Sequence, residues 1–146
     1  VAKFIFSMQS LLSLKSRMEE QKKQEFGEAI NKLEQEKSFL EGLNMEKEHT
    51  LLKLRESVNG KISPTDFKNF NNYVEVLKKR IVAQMGVIIE TEKYVEKKRL
   101  ELVEATKERK MLDKLKEKKH EEYIEEEKKQ EQKINDEIVS YKYSSL

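Results

Sequence analysis

Cysteine is absent from the 146 residues, so no disulfide, thiolate ligand or cysteine nucleophile operates here. Tryptophan is absent as well, and aromatic residues make up 8% of the chain, which leaves too few large apolar groups for a compact globular core. A single proline and four glycines offer few points at which a helix must break. Neither sign of charge dominates. The 30 basic and 28 acidic residues are interleaved and leave a net +2, which excludes the segregated basic face of a nucleic-acid-binding chain. No apolar run approaches the roughly 20 residues of a membrane span; the longest, residues 81–89, is short and holds Gln84. Glycine-rich phosphate loops, nucleophile elbows and Ser/His/Asp arrangements are missing. The two histidines, His49 and His120, lie far apart without companion ligands, and read as solvent-exposed side chains. No catalysis, metal or cofactor is expected.

What is present is period. Phe67, Val74, Ile81, Ile88, Val95 and Leu102 recur at every seventh residue, with charged and polar residues between. A 3.5-residue period keeps one stripe of an α-helix facing a partner helix, so this is the seam of a coiled coil. At 40% charged residues and a mean hydropathy of -0.86, disorder is the competing reading, and the sustained heptads argue against it over most of the length.

One interruption divides the pattern. Asn59-Gly60 is a strong turn signal, Gly60 suits the position just past a helix, and Ser63-Pro64 with Asp66 forms a capped helix start. The expectation is an all-α, two-helix antiparallel coiled-coil hairpin spanning residues 1–146 as a single unit: a helix over about 5–57, a turn over about 58–63, and a helix over about 64–140. The apolar start interrupted by Ser7, Gln9, Ser10 and Ser13 reads as the first turns of that helix rather than a signal peptide, and Val1 suggests a processed or engineered start.

The short connection fixes a register in which paired numbers sum to about 121. Phe26 then lies by Val95, Leu33 by Ile88, Leu40 by Ile81 and Leu54 by Phe67; a second set puts Leu51 by Phe70, Asn44 by Leu77 and Ile30 by Thr91. Lys37, Lys47 and Gln84 are polar seam positions that cost stability and specify register. Intramolecular pairing as a monomer is favoured, with dimerisation through the same seam as the alternative. Beyond about residue 118 the second helix outruns the first, with a thin stripe of Tyr123, Ile134, Ile138 and Tyr141, and is expected to fray or find a partner. Tyr73, Val76, Met85, Ile89, Met45 and Leu52 lie off the strict seam. They either widen the core face or form an apolar patch for a partner.

Several segments resemble one family. The opening Lys3-Phe4-Ile5-Phe6-Ser7-Met8-Gln9-Ser10-Leu11-Leu12-Ser13-Leu14-Lys15 with Glu19-Glu20 is similar to the N-terminus of the flagellar export protein FliJ family. So are the stretch Lys107-Glu108-Arg109-Lys110-Met111-Leu112-Asp113-Lys114-Leu115-Lys116 and the late segment Glu131-Gln132-Lys133-Ile134-Asn135-Asp136-Glu137-Ile138.

The resemblance implies a non-enzymatic axial adaptor and escort of the flagellar type III export apparatus. It would be cytoplasmic and peripheral at the inner face of the cell membrane, and needed for motility. It implies that the terminal end binds the export ATPase hexamer, with Phe4, Phe6, Leu11, Arg109, Lys110, Leu112, Leu115, Tyr123 and Asp136 as contacts. It implies that the hairpin tip meets the cytoplasmic domain of the export gate membrane protein through Met45, His49, Tyr73, Leu77, Arg80 and Gln84. Export chaperones are further implied partners, and nucleic acid is not one. The reading from the residues alone leaves open a structural spacer or homodimerising scaffold with no ATPase partner.

Overall fold

The computed structural model describes residues 3–145, with the side chain of Lys61 left aside. Val1, on which the processed start rests, lies outside the described residues. Two long α-helices make the fold: α1 over Gln9–Glu56 and α2 over Pro64–Ser144, joined by a tight turn at Ser57–Lys61. No strand occurs among the described residues, and the fold is a helical hairpin coiled coil.

The ends of each helix follow from local chemistry. Ser63 caps α2: its Oγ accepts the Asp66 N–H at 3.2 Å, and its carbonyl accepts the Phe67 N–H at 3.0 Å. Pro64, whose missing N–H is no loss in a first turn, starts the helix. In the turn, Gly60 has φ 89°, a left-handed conformation that a side chain would strain. α1 begins at Gln9 rather than near residue 5. Residues 3–6 are non-helical, with Phe4 half-buried, Ile5 exposed and Phe6 buried. An extended backbone points alternate side chains to one side, whereas a helix would set residues 4 and 6 on nearly opposite faces. Burying both phenylalanines therefore requires the helix to start later. At the other end, the stretch expected to fray is helical as far as Ser144, although residues 128–145 are all exposed.

The chain divides into two compact units. The hairpin unit, Lys22–Leu102, holds the turn. Here Val74, Leu77 and Ile88 of α2 are buried with Ala29, Leu43 and Leu54 of α1. Ile81, Val95 and Leu102 are half-buried. Phe67, the first beat of the seven-residue series, is 45% exposed because it opens α2 beside the turn.

On α1 the first expected set lies on the seam, with Phe26, Leu33 and Leu40 half-buried and Leu54 buried, but the second set differs from the expected one. Ile30 and Asn44 face solvent and Leu51 is only half-buried, while Ala29, Leu43 and Thr50, each one position earlier, are buried, as is Ser57 a further seven residues on. From Phe26 the seam advances by three residues and then four, which selects small and hydroxylated side chains over larger apolar ones. The buried hydroxyls satisfy themselves locally: Thr50 donates to the Glu46 carbonyl at 2.9 Å, Thr91 to the Val87 carbonyl at 2.7 Å, and Ser57 to the Leu54 carbonyl.

Gln84 crosses the seam, with Nε2 donating to the Glu36 carbonyl at 2.9 Å and to its carboxylate at 2.6 Å. Lys37, expected in the seam, is instead exposed beside Glu34. Cross-helix pairs also fall slightly off the expected register. Lys22 meets Glu101 and Glu25 meets Lys98, each two residues beyond the anticipated partner.

The terminal unit, up to Gln21 and from Val103 onward, buries less. Phe6 and Leu12 are its buried apolar groups, and much of its seam is ionic.

Candidate partner-binding surfaces

The expected ATPase-contact residues all fall in the terminal unit, and the expected gate-contact residues all fall in the hairpin unit. In the terminal unit, Phe4 sets its ring edge-on to His120, with centroids 5.0 Å apart, and lies 5.5 Å from the Tyr123 ring. Lys3, Ile5 and Ser7 with Lys119, Glu122 and Glu126 rim this aromatic contact. Burial, with help from the nearby Glu127 carboxylate, pushes the Tyr123 phenol above its ordinary pKa. Phe6 is 7% exposed, so it anchors the segment instead of presenting a surface.

Arg109 occupies a position in the seven-residue series seven past Leu102, yet it is a guanidinium. It donates to both Glu19 oxygens at 2.9 Å and also to Asp113, and those carboxylates raise its pKa. Lys15 pairs with Glu108 at 2.9 Å, and Lys116 donates to Gln9 at 2.8 Å. Charged pairs thus hold the helices together where apolar knobs run out. Leu11, Lys110 and Asp136 are exposed, and Leu112 and Leu115 are half-buried. Met8, Leu14, Met18 and Met111 are exposed apolar neighbours in the same unit.

In the hairpin unit the expected gate set separates by depth. Leu77 is 1% exposed and Gln84 is 7% exposed, so both belong to the seam and cannot be touched by a partner while the helices pair. Tyr73 and Arg80 each precede a seam residue by one position and lie exposed along its edge. The Tyr73 hydroxyl reaches Glu46 Oε1 at 3.3 Å, which steers the ring along α1. Met45 and His49 line a shallow hollow on the outward side of α1 with Leu40, Asn44 and Leu52.

Two features escaped the sequence reading. His120 is solvent-exposed as expected, but Phe4 packs on its ring, a contact hinted at only by the Phe-x-Phe alternation at positions 4 and 6. The ionic seam draws on Lys15 and Glu19 of α1, charged residues that carry no apolar period in the sequence.

Among the described residues, no group of three or more His, Asp or Glu side chains is placed to hold a metal ion, and no helix is long and apolar enough to cross a membrane.

Comparison with known proteins bears on both ends at once. The family model described as "Flagellar FliJ protein" matches residues 4–145. A solved structure from Chlamydia trachomatis, CT670, described as a YscO homologue, superposes with a TM-score of 0.50 at 18% identity, covering 97% of this chain and 96% of that one. At that identity the likeness speaks for the fold. Among curated proteins none matches the sequence. With the family match running through both units, the chain belongs to the flagellar FliJ family, a non-enzymatic component associated with type III export.

Proposed function

We propose that this chain is an axial adaptor of the export apparatus that enters the export ATPase ring with its terminal unit and engages the cytoplasmic domain of the export gate with its hairpin unit. Export chaperones are carried on the same scaffold, and the protein is held at the inner face of the membrane through these partners. The observation that carries the reading is the family match over residues 4–145, which takes in both surfaces.

The geometry supports a division of labour. In the terminal unit the contact set reduces to Phe4, Leu11, Lys110, Leu112, Leu115, Tyr123 and Asp136, with Arg109 bridging the helices. These offer exposed or half-exposed apolar groups among charges of both signs. In the hairpin unit, Tyr73 and Arg80 are an exposed aromatic and a guanidinium on one helix edge, a pairing common among interface anchors. Met45 and His49 add apolar and polar contact from α1, and Leu77 with Gln84 holds the helices beneath.

One crossed experiment tests both ends. Truncation after residue 120 removes Tyr123 and Asp136; it should abolish stimulation of the cognate export ATPase and leave gate binding intact. Tyr73→Ala with Arg80→Glu should do the reverse, weakening gate binding and motility at unchanged helical content. Full ATPase stimulation by the truncated chain, or normal gate binding by the double variant, would refute the corresponding end. A structural spacer with no ATPase partner would show no stimulation even at full length.

A further inference from the structure

α2 carries a second stripe beside its seam. Glu75, Lys78, Val82, Met85, Ile89, Glu92, Glu96 and Arg99 follow one another at alternating steps of three and four, so they lie along one face. Its centre is apolar and wet: Val82, Met85 and Ile89 are 70%, 52% and 54% exposed. α1 packs on the neighbouring face, over Val74, Leu77, Gln84 and Ile88, and leaves this one uncovered. The stripe is flanked by charge of opposite character, with Lys78 before the apolar centre and Glu92 and Glu96 after it.

That sequence is complementary to itself when reversed. A parallel copy would set Lys78 on Lys78 and Glu96 on Glu96. An antiparallel copy sets each basic position against an acidic one. Helices pairing antiparallel through alternating three and four steps interleave their side chains, which fixes the level at which they meet.

We propose that two copies of this chain pair antiparallel along the stripe, Met85 of each against Ile89 of the other, with Lys78 opposite Glu96 and Glu75 opposite Arg99 of the second copy. The contact is two-fold symmetric, so each apolar group and each ion pair occurs twice. Within one chain Lys78 already pairs with Glu75 at 3.2 Å and Arg99 with Glu96 at 2.7 Å. Apposition therefore brings the two pairs together as a four-charge cluster at either end, while Glu92 of each copy lies opposite Val82 of the other, where the carboxylate must stay at the wet margin of the contact. Three apolar side chains per copy place the contact below the roughly 1,200 Å² of a standard interface, so the dimer is weak and the chain is monomeric when dilute. Pairing of copies does not depend on the export role proposed above.

Sedimentation equilibrium of the full chain from about 10 μM to about 1 mM brackets such an affinity. The wild type should pass from monomer to dimer across that range, and Met85→Glu should remain monomeric with unchanged helical signal. Val82→Ser, a milder change on the same exposed stripe, should also weaken association. Lys78→Glu and Glu96→Lys should each weaken it by about fivefold, and both together in one chain should restore it, since the exchanged charges face each other again. A wild type monomeric at the highest concentration overturns the proposal and leaves the stripe to a different protein. A dimer that tolerates Met85→Glu overturns it too, and failure of the double charge exchange to restore association overturns the antiparallel arrangement.

Discussion

The hairpin unit and the terminal unit use the same heptad phase and fill it with different chemistry. In the hairpin unit the apolar seam positions of α2 are Val74, Leu77, Ile81, Ile88 and Val95, interrupted by buried Gln84 and Thr91 and set against Ala29, Leu43 and Leu54 of α1. In the terminal unit Arg109 takes the position that follows Leu102 in the series, and its partner on α1 is Glu19. The apolar seam removes surface from water, worth about 25 cal/mol per Å². The ionic seam gains little net stability from partly solvated pairs, but it is selective about which charges it accepts. One end is therefore built to persist, and the other to hold its shape while leaving apolar side chains such as Leu11, Leu14 and Met111 available.

The largest expected effect breaks the apolar side of this contrast. Leu77→Asp places a carboxylate at the most buried large side chain. It should cost about 3 kcal/mol or more and unfold much of the hairpin unit, read by urea denaturation monitored by circular dichroism. A cost near that of a surface change would mean that the seam is not where stability resides. Ile88→Asp should act in the same direction.

The matching change in the ionic seam should be far milder. Arg109→Met removes the bonds to Glu19 and Asp113 and substitutes a shorter, unbranched apolar side chain. Because both partners remain partly solvated, the thermal midpoint should stay within about 3 °C of wild type. What should change is salt response: amide exchange in the terminal unit should quicken at high salt in the wild type as the pairs are screened, and should do so less in the variant, which keeps only pairs such as Lys15–Glu108. A large loss of stability on Arg109→Met would erase the distinction between the two seams.

How far the fold was legible depended on which side chain carried the information. The α2 seam was readable because its beats are large and apolar, and the turn was readable because Asn59-Gly60 and Ser63-Pro64 are specific in their backbone demands. The α1 companion series was readable only in its first set, Phe26, Leu33, Leu40 and Leu54; the positions between them were not. Thr50 and Ser57 hide their hydroxyls by bonding the preceding helical turn, so residues that look polar in sequence are satisfied when buried. Ile30, the more hydrophobic choice, is left outside. The surfaces were legible only in part: Tyr73, Arg80 and Met45 are exposed where a contact requires them, whereas Leu77 and Gln84 share their spacing but point into the seam. Spacing identifies a helix face to within about one residue step, and one step of 100° separates a contact residue from a core residue.

The smallest effect is electrostatic and sharpens the comparison at its border. Near the end of the hairpin unit, Glu101 accepts a hydrogen bond from Lys98 at 3.2 Å and lies 3.5 Å from Lys22, while Lys98 also reaches Glu25. The Lys98 hydrogen bond first, and then the attraction of Lys22 and Lys98, hold the Glu101 carboxyl below its ordinary value of 4.5, and the same contact raises Lys98. A carboxyl depressed by folding contributes stability that is present above its unfolded pKa and is lost as pH falls through its folded value. Acidification below 4.5 should therefore loosen this cluster, and neutral pH should leave it intact. The group is partly solvated, so the consequence for global stability is slight and the titration itself is the measurement. Followed by NMR, the Glu101 midpoint should lie below 4.5 in the wild type and move up toward it in Lys98→Met, with a smaller upward move in Lys22→Met. A wild-type midpoint at or above 4.5 would mean that the lysines merely neighbour the carboxylate.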